Sequence, residues 1–295
     1  MNVNQSNRYS ESLSGPVASI IIPAHNESAV IGRCLQSIFS AALPAEFEVI
    51  VVCNGCSDST ADIVRNDFPF ASLIETPKAS KTGALNLGDA AASVFPRIYL
   101  DADLVVSVES LRLIVQPLVS DDALAACGQM NISFNQSSFP VRSFYRVWSH
   151  NSYLKNGKFG GLFAVSRKGH SRVSPFPELT NDDEFVRRSF TGEERAFVEN
   201  SSFEMIAPRS ISGLLKIRSR AIRGTRELSQ VGYLDEQPQS RNIVELLAII
   251  IKKPSLWVDT FFYIGISLLV RVKVVVAGKK NNQMWERDES SRKPA

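Results

Sequence analysis

Arg97-Ile98-Tyr99-Leu100-Asp101-Ala102-Asp103 is an apolar run that ends in two carboxylates one residue apart. Such a run predicts a short buried strand, and open α/β sheets bind their ligands beyond the carboxyl ends of their strands. Mg²⁺ and Mn²⁺ prefer carboxylate oxygens and share their remaining positions with water and substrate phosphates. Asp101 and Asp103 are therefore candidate ligands for a divalent metal (Mg²⁺ or Mn²⁺) bound with a phosphate. A solvated turn after a strand is the alternative for this pair.

Three similar segments precede this run. Apolar runs at residues 18–22, 48–53 and 72–75 each lead into a polar loop and then a helical pattern. The alternation predicts parallel βαβ units with right-handed crossovers. In such units the ligand loops lie along one edge of the sheet. The sequence therefore predicts an α/β domain whose polar loops meet at a single site.

These loops contain the groups that a nucleotide needs. Asn26 and Asp58 offer hydrogen-bonding partners to a base or a ribose. Lys81 stands before a helix predicted at 84–92, where its charge and the unpaired N–H groups favour phosphate. Neither Gly-x-Gly-x-x-Gly nor Gly-x-x-x-x-Gly-Lys-Ser/Thr occurs. A dinucleotide-binding Rossmann domain and a P-loop enzyme are both disfavoured.

Composition narrows the class of protein further. With 295 residues, 44% hydrophobic and 21% charged, the chain has ordinary globular usage and can bury a sizeable core. A net charge of +3 argues against a nucleic-acid partner. Four cysteines do not make a disulfide framework in a chain this long. Residues 1–14 are polar and contain no apolar signal segment, so we expect the chemistry to occur in the cytoplasm.

Four motifs resemble, in order and spacing, the successive motifs of glycosyltransferase family 2. They are Pro23-Ala24-His25-Asn26-Glu27, Asn54-Gly55-Cys56-Ser57-Asp58-Ser59-Thr60, Lys81-Thr82-Gly83-Ala84-Leu85-Asn86 and Asp101-Ala102-Asp103. The resemblance covers residues 17–226. It implies the GT-A fold, in which a Rossmann-like mixed sheet flanked by helices binds a nucleotide-diphosphate sugar and a divalent metal.

The resemblance also implies donor-binding roles for individual residues. Asn26, Glu27 and Asp58 would contact the nucleoside, and Lys81 would lie near it. Asp101 and Asp103 would hold ribose, diphosphate and metal. The other motif members in the expected donor site are Pro23, Ala24, Asn54 and Ala102. A uridine diphosphate sugar is the first expectation for the donor, and guanine and thymine nucleotides stay open.

The second half of the chain supplies the acceptor side. Residues 123–134 predict a strand, and residues 139–154 predict a helix with aromatic core anchors. Gly160 and Gly161 then precede an apolar run, and adjacent glycines allow a ligand to approach the backbone closely. In the family a similar Gly-Gly segment borders the sugar and acceptor pocket. A simple hairpin turn is the alternative.

Residues 180–188, Thr-Asn-Asp-Asp-Glu-Phe-Val-Arg-Arg, form an acidic cluster. Sugar transfer to a hydroxyl needs a base, and neighbouring carboxylates raise each other's pKa. The cluster resembles the family's Glu-Asp motif, with Asp182 at the position of the base. Asn181 stands where the family usually has Glu, which leaves Asp182 and Asp183 as alternatives. The same acidic residues also suit a helix N-terminus without any catalytic role.

A basic run follows the acidic cluster, between Arg209 and Arg226. Guanidinium groups suit diphosphate oxygens, although such a run is often a solvated face. Processive relatives carry Gln-x-x-Arg-Trp in this region, where the chain has residues 220–224, Arg-Ala-Ile-Arg-Gly. We expect Arg223, assisted by Arg220, to neutralise the leaving diphosphate. The missing Trp favours transfer of a single sugar.

The C-terminal part is strongly apolar at residues 243–251 and 256–276. Asp259, Arg271 and Lys273 interrupt the second stretch, which therefore falls short of the ~20 apolar residues of a spanning helix. We favour a helix lying in the plane of an anionic bilayer surface. A spanning helix and a core or dimer contact are the alternatives.

The predicted organisation has four parts. They are a flexible N-terminus (1–16), a GT-A domain (17–227, with a nucleotide-sugar half 17–104 and an acceptor half 105–227), a connector with membrane-associating helices (228–280), and a disordered tail (281–295).

The expected activity is inverting, metal-dependent transfer of a sugar from a nucleotide-diphosphate sugar to an acceptor hydroxyl. The acceptor would be a polysaccharide, a glycolipid or a lipid-linked sugar at the cytoplasmic face of the membrane. A membrane-associated sugar-nucleotide-binding protein without transferase activity is the alternative. A phosphotransferase of the haloacid dehalogenase kind also uses Asp-x-Asp but wants Thr where Val105 stands. A nucleotidyltransferase would need a glycine-rich basic N-terminal loop, which is absent.

Overall fold

The computed structural model describes residues 15–155, 157–233, 246 and 248–278. The strands are β1 (Ala18–Ala24), β2 (Phe47–Asn54), β3 (Ser72–Thr76), β4 (Arg97–Leu100), β5 (Val105–Val106), β6 (Ala125–Ser133), β7 (Leu162–Val165) and β8 (Arg195–Ile206). The helices are α1 (Ile31–Phe39), α2 (Thr60–Asp67), α3 (Lys81–Ala91), α4 (Val108–Val119), α5 (Phe139–Trp148), α6 (Ser152–Lys155), α7 (Arg167–Val173), α8 (Asp182–Arg188), α9 (Ile211–Gln230) and α10 (Trp257–Gly278).

The strands form one eight-stranded sheet in the order β3-β2-β1-β4-β7-β6-β8-β5. In its N-terminal half β1 pairs in parallel with β2 and β4, and β2 pairs in parallel with β3. Every residue of β1 is buried, as expected of a central strand covered on both faces. The carboxyl ends of β1, β2 and β4 therefore meet at one edge, where ligand loops are expected.

The second half of the sheet is mixed. β7 runs antiparallel between β4 and β6, and β6 pairs in parallel with β8. The pairing of β4 with β7 places the glycine turn that precedes β7 beside the end of β4. There the backbone N–H of Asp101 donates to the carbonyl of Gly161 at 2.8 Å. Two segments that are distant in sequence thus border the same edge.

Some element boundaries differ from the sequence prediction. α3 begins at Lys81, because the hydroxyl of Ser80 caps the helix by accepting from the Gly83 N–H at 3.1 Å. The helix predicted at 139–154 is two helices, α5 and α6, with a break at residues 149–151. α9 contains every basic residue of the basic run except Arg209, and it continues to Gln230.

α10 packs on the domain along α5 and α9. One face of this helix, with Ile266, Val270 and Val274, belongs to the main hydrophobic core. At its N-terminal end Asp259 is buried and forms an ion pair with Arg146 of α5, at 3.5 Å. Among the helices that the structure describes, none combines the length and hydropathy needed to cross a bilayer. The predictions for residues 1–14, 234–245 and 281–295 lie outside the described residues.

Candidate active site

A cavity of about 900 Å³ opens at the carboxyl edge of the sheet. It is bounded by the ends of the parallel strands, by α8 and by α9 and α10. The predicted site residues in its wall are Pro23, Glu27, Asn54, Lys81, Asp101, Ala102, Asp103, Gly160, Gly161, Asp182, Asp183 and Arg220. The predicted residues outside that wall are Ala24, Asn26, Asp58 and Arg223. The fold therefore brings both expected halves, donor and acceptor, to one cavity.

Lys81 joins the two halves of the site. Its Nζ lies 2.7 Å from Oδ1 of Asp101 and 3.0 Å from Oδ1 of Asp182. The side chain of Asp182 is only 6% exposed. Although burial lowers the pKa of Lys81, the two carboxylates outweigh it and hold this pKa above its ordinary value. Lys81 is thus a cation between the Asp-x-Asp pair and the acidic cluster.

Asp101 and Asp103 follow β4 and both line the cavity. Burial raises the pKa of Asp101 to about 6; Lys81 opposes this shift, and repulsion from Asp182 and Asp103 adds to it. No group of three or more His, Cys, Asp or Glu is positioned to hold a metal within the described residues. Two carboxylates at one strand end fit an ion that takes its other ligands from diphosphate and water. The donor set therefore fits a shared metal and not a metal held by protein alone.

Gly161 can only be glycine at this place. Its φ is +91°, and a Cβ on it would lie 2.6 Å from Oδ2 of Asp101. A side chain here would be strained and would also displace the carboxylate. Gly160 is next to it, with φ +53°, and both residues form the turn that leads into β7. The turn before β7 thus forms part of the cavity wall.

Asn26 and Asp58 hold two loops together beside the cavity. Oδ1 of Asn26 accepts from the Ser57 N–H at 2.7 Å, and Oδ2 of Asp58 accepts from the Ser28 N–H at 3.1 Å. Burial opposes ionisation of Asp58, but hydrogen bonds from Thr60 and Ser28 outweigh it and keep its pKa below the ordinary value. Their side chains shape the loops that carry the cavity residues Glu27 and Asn54.

The acidic cluster separates into three environments. Asp182 pairs with Lys81, whereas Oδ2 of Asp183 lies 3.4 Å from Nζ of Lys158. Glu184 is buried and accepts from Arg187, Arg188 and Tyr153. Burial raises the pKa of Glu184, but these partners, Arg187 first, lower it to about 2. Glu184 is therefore a fixed anion that anchors α8.

The departure at Asn181 has a packing reason. Nδ2 of Asn181 donates to the carbonyl of Ala221 at 3.0 Å. A Cβ on Gly224 would lie 2.4 Å from Cγ of Asn181, so α9 passes directly over this side chain. Asn181 thus connects the start of α8 to α9, and the longer Glu would not fit without moving that helix.

Several cavity residues were not found from the sequence. They are Lys158, Trp148, Arg218, Tyr263 and Arg271. Three of them come from helices that the sequence prediction assigned to core packing or to a membrane, and only the packing of α10 on α5 and α9 brings them to the cavity. The basic run gave a signal for Arg218, but not for its position.

The model of Glycosyl transferase family 2 matches residues 19–172, more than half of this chain. The chain belongs to glycosyl transferase family 2. This confirms the family that the four motifs predicted. Probable glycosyltransferase YdaM of Bacillus subtilis strain 168 is 33% identical over 119 residues, which cover 38% of this chain and 28% of YdaM. The aligned segment thus spans less than a third of that relative.

Solved structures confirm the predicted α/β fold, a mixed sheet flanked by helices. The mannosyltransferase PcManGT from Pyrobaculum calidifontis, in complex with GDP-Man and Mn²⁺, has a TM-score of 0.59 at 18% identity, covering 92% of this chain and 77% of that one. Glucosyl-3-phosphoglycerate synthase from Mycobacterium tuberculosis, in complex with Mn²⁺, UDP and glucosyl-3-phosphoglycerate, has a TM-score of 0.54 at 19% identity, covering 75% and 82%.

Proposed function

We propose that this chain is an inverting glycosyltransferase that moves one sugar from a nucleotide-diphosphate sugar to an acceptor hydroxyl. One observation carries the proposal: Lys81 lies within 2.7 Å of Asp101 and 3.0 Å of Asp182. The residue expected to hold the diphosphate and the residue expected to act as base are thus separated by a single ammonium group. Family membership and the nucleotide-bound structural neighbours support sugar transfer from a nucleotide-diphosphate sugar; inversion at C1 is part of the proposal.

In the proposed mechanism Asp182 accepts the proton of the acceptor hydroxyl. The oxygen of that hydroxyl attacks C1 of the sugar, and the bond between C1 and the diphosphate breaks. One displacement at C1 inverts its configuration. Lys81 holds the carboxylate of Asp182 in place, so that its orientation does not depend on the acceptor. Arg220, from the wall of α9, and Arg223 would neutralise the diphosphate as it leaves. Asp101 and Asp103 would hold a divalent metal, which supplies electrophilic stabilisation of the leaving group.

The donor nucleotide would lie over the ends of β1 and β2. Pro23, Glu27 and Asn54 line that part of the cavity, and Asn26 and Asp58 hold its loops. The neighbouring structures contain guanosine and uridine nucleotides with Mn²⁺, so both bases are candidates here. The alternative, a binding protein without transferase activity, rested on Asn181, for which the contact with α9 gives a structural reason.

A panel of sugar nucleotides tests the proposal. We expect the wild type to release nucleoside diphosphate from one UDP-, GDP- or dTDP-sugar in the presence of Mn²⁺ or Mg²⁺. The Asp103→Ala variant should be about 100-fold or more slower, because removing one electrostatic stabiliser lowers kcat by that factor. Asp67→Ala, an exposed carboxylate at the end of α2, is the matched control and keeps full activity. Binding of a donor without release, with membrane extract as acceptor, would instead support the binding protein. No binding by any donor would refute both functions.

We also propose that α10 attaches the enzyme to the cytoplasmic membrane surface. Its outward face exposes the large apolar side chains Trp257, Val258, Phe261, Ile264, Leu268, Leu269, Val272, Val275 and Val276. A contiguous apolar patch of this kind marks an interaction surface. Lys252, Lys253, Arg271 and Lys273 lie before and within the helix, and their charge favours an anionic bilayer over a protein core.

Vesicle flotation tests the attachment. Phe261 is 75% exposed on α10, and Phe70 is 87% exposed in the loop after α2, so the same substitution can be made at both. We expect Phe261→Ser to reduce binding to phosphatidylserine-containing vesicles at least about tenfold, because a Phe ring contributes roughly 1.5–3 kcal/mol when buried in an apolar medium. Phe70→Ser should bind as the wild type does. Equal losses in both variants would contradict attachment through α10.

A further inference from the structure

The cavity has two chemically different walls. Its acidic wall contains the carboxylates at the end of β4 and the start of α8, which the proposed reaction uses. Its basic wall consists of α9 and α10 and contributes four arginines, which are Arg218, Arg220, Arg226 and Arg271. Among the described lining residues that α9 and α10 contribute, none is an Asp or Glu. The proposed reaction uses Arg220 for the diphosphate, and it assigns no role to Arg218, Arg226 or Arg271.

Arg218 is held in a defined position on this wall. Its guanidinium carbon lies 4.9 Å from the centre of the Trp148 ring and 5.9 Å from that of Phe144. Tyr263 of α10 stacks on the same Phe144 ring, with centroids 5.1 Å apart. Stacking on aromatic rings leaves the edge of a guanidinium group available for bidentate recognition of an oxyanion.

Arg271 and Ser267 complete the group from α10. Tyr263, Ser267 and Arg271 lie at i, i+4 and i+8 on the helix and all line the cavity. Burial raises the pKa of Tyr263, and the charges of Arg218 and Arg271, together with a hydrogen bond from Ser267, oppose that shift. Both cations are therefore close to the phenol. Two guanidinium groups and two hydroxyl groups converge on the α10 end of the cavity.

The same helix joins this group to the exposed apolar face. Val275 both lines the cavity and is exposed with the outward apolar residues. A hydrocarbon chain attached to an anion at Arg271 would thus have an apolar surface beside it, one helical turn further along α10. Burial of such a chain is favourable in proportion to its apolar area.

We infer that Arg218, Tyr263, Ser267 and Arg271 form a subsite for the phosphate of a lipid phosphate that carries the acceptor sugar, and that its hydrocarbon chain lies along the exposed face of α10. The inference rests on the proposed function for the meaning of "acceptor", but the binding itself does not depend on sugar transfer. It assigns a substrate class to the part of the cavity that the donor leaves open.

Calorimetric titration with farnesyl phosphate, below its micelle concentration, tests the subsite in the full-length protein. We expect binding, and a loss of affinity of about tenfold to a hundredfold in Arg271→Ala and in Arg218→Ala, since each removes charge-assisted hydrogen bonds. Lys216→Ala removes a positive charge from α9 outside the cavity wall and should bind as the wild type does. Arg271 is exposed, so its replacement does not threaten folding.

Two further ligands separate the possible sources of the phosphate. Farnesol, which lacks the phosphate, should bind more weakly and respond to neither arginine substitution. Inorganic phosphate should also bind more weakly, because it lacks the chain. Equal affinity of Arg271→Ala and wild type for farnesyl phosphate would overturn the subsite. Equal affinity for farnesyl phosphate and inorganic phosphate would overturn the lipid assignment.

Donor binding is measured in parallel by the shift in melting temperature. If the protein binds farnesyl phosphate through Arg271 but binds no sugar nucleotide, the subsite is supported and the proposed function is contradicted. If the protein binds a donor but not farnesyl phosphate, the proposed function is supported and the subsite is contradicted. Arg271→Ala should leave the donor-induced shift unchanged.

Discussion

The Asp182→Asn variant is expected to lower kcat for nucleoside-diphosphate release by about 10²–10⁴-fold, the usual contribution of a general base. Asn is nearly the same size as Asp and keeps an oxygen that can accept from Lys81 Nζ, now 3.0 Å from Asp182. The amide cannot take a proton from the acceptor hydroxyl. Donor KM should change little, because Asp182 acts on the acceptor. The measurement is steady-state kinetics with the donor found by the panel.

Asp183→Asn is the matched control, because it makes the same change one residue away. Asp183 pairs with Lys158 at 3.4 Å, whereas the ion pairs of Lys81 are with Asp101 and Asp182. We expect its kcat to fall by less than about tenfold, as for loss of a partly exposed ion pair. If Asp183→Asn were the inactive variant and Asp182→Asn the active one, the base would be Asp183. Similar, small losses in both would contradict a base in this cluster.

The second large effect is on stability, at Asp89. The side chains of Asp89 and Arg97 are both buried and lie 2.7 Å apart. The phenol of Tyr99 donates to the same carboxylate oxygen at 2.8 Å. Asp89→Ala should lower the free energy of unfolding by about 3–5 kcal/mol, because it leaves the charge of Arg97 buried without its counter-charge. The midpoint of urea denaturation measures this loss.

Two comparisons make the stability prediction specific. Asp62→Ala breaks an ion pair whose Arg65 and Asp62 side chains are 49% and 67% exposed, and it should cost less than about 1 kcal/mol. The double variant Asp89→Ala with Arg97→Met removes both charges and should be more stable than Asp89→Ala alone. If the double variant were the less stable one, the unpaired charge would not be the cause.

The sequence could place three of the four motifs beside one another, because those three stand at the ends of parallel strands, β1, β2 and β4. Strand ends that follow apolar runs must meet at one edge, so Asn54 and Asp101 could be placed together from the sequence. The capping of α3 by Ser80 could also have been read, since Ser before a helical pattern is a standard start signal. Lys81 would then have been placed inside the helix.

The acceptor half could not be predicted to the same depth. Its wall depends on how α10 packs against α5 and α9, and an apolar helix gives the same sequence signal whether it covers a protein or a membrane. α10 has one face of each kind, since Ile266 and Val270 are buried while Leu268 and Leu269 are exposed. Pairings of charges, such as Asp183 of α8 with Lys158, join segments whose approach no local pattern encodes.

The two ion pairs at opposite ends of α3 have a mechanical consequence. At the start of the helix the cation belongs to α3 and the anion follows β4, in Lys81 with Asp101. At its end the order is reversed, in Asp89 with Arg97. A slide of the helix by one turn, about 5.4 Å, would break both pairs and could form neither again. The buried Asp89–Arg97 pair therefore fixes the position of α3 along its axis, and with it the position of Lys81. Weakening this pair should disorder the contact between Lys81 and Asp182, the proposed base, before the fold itself is lost.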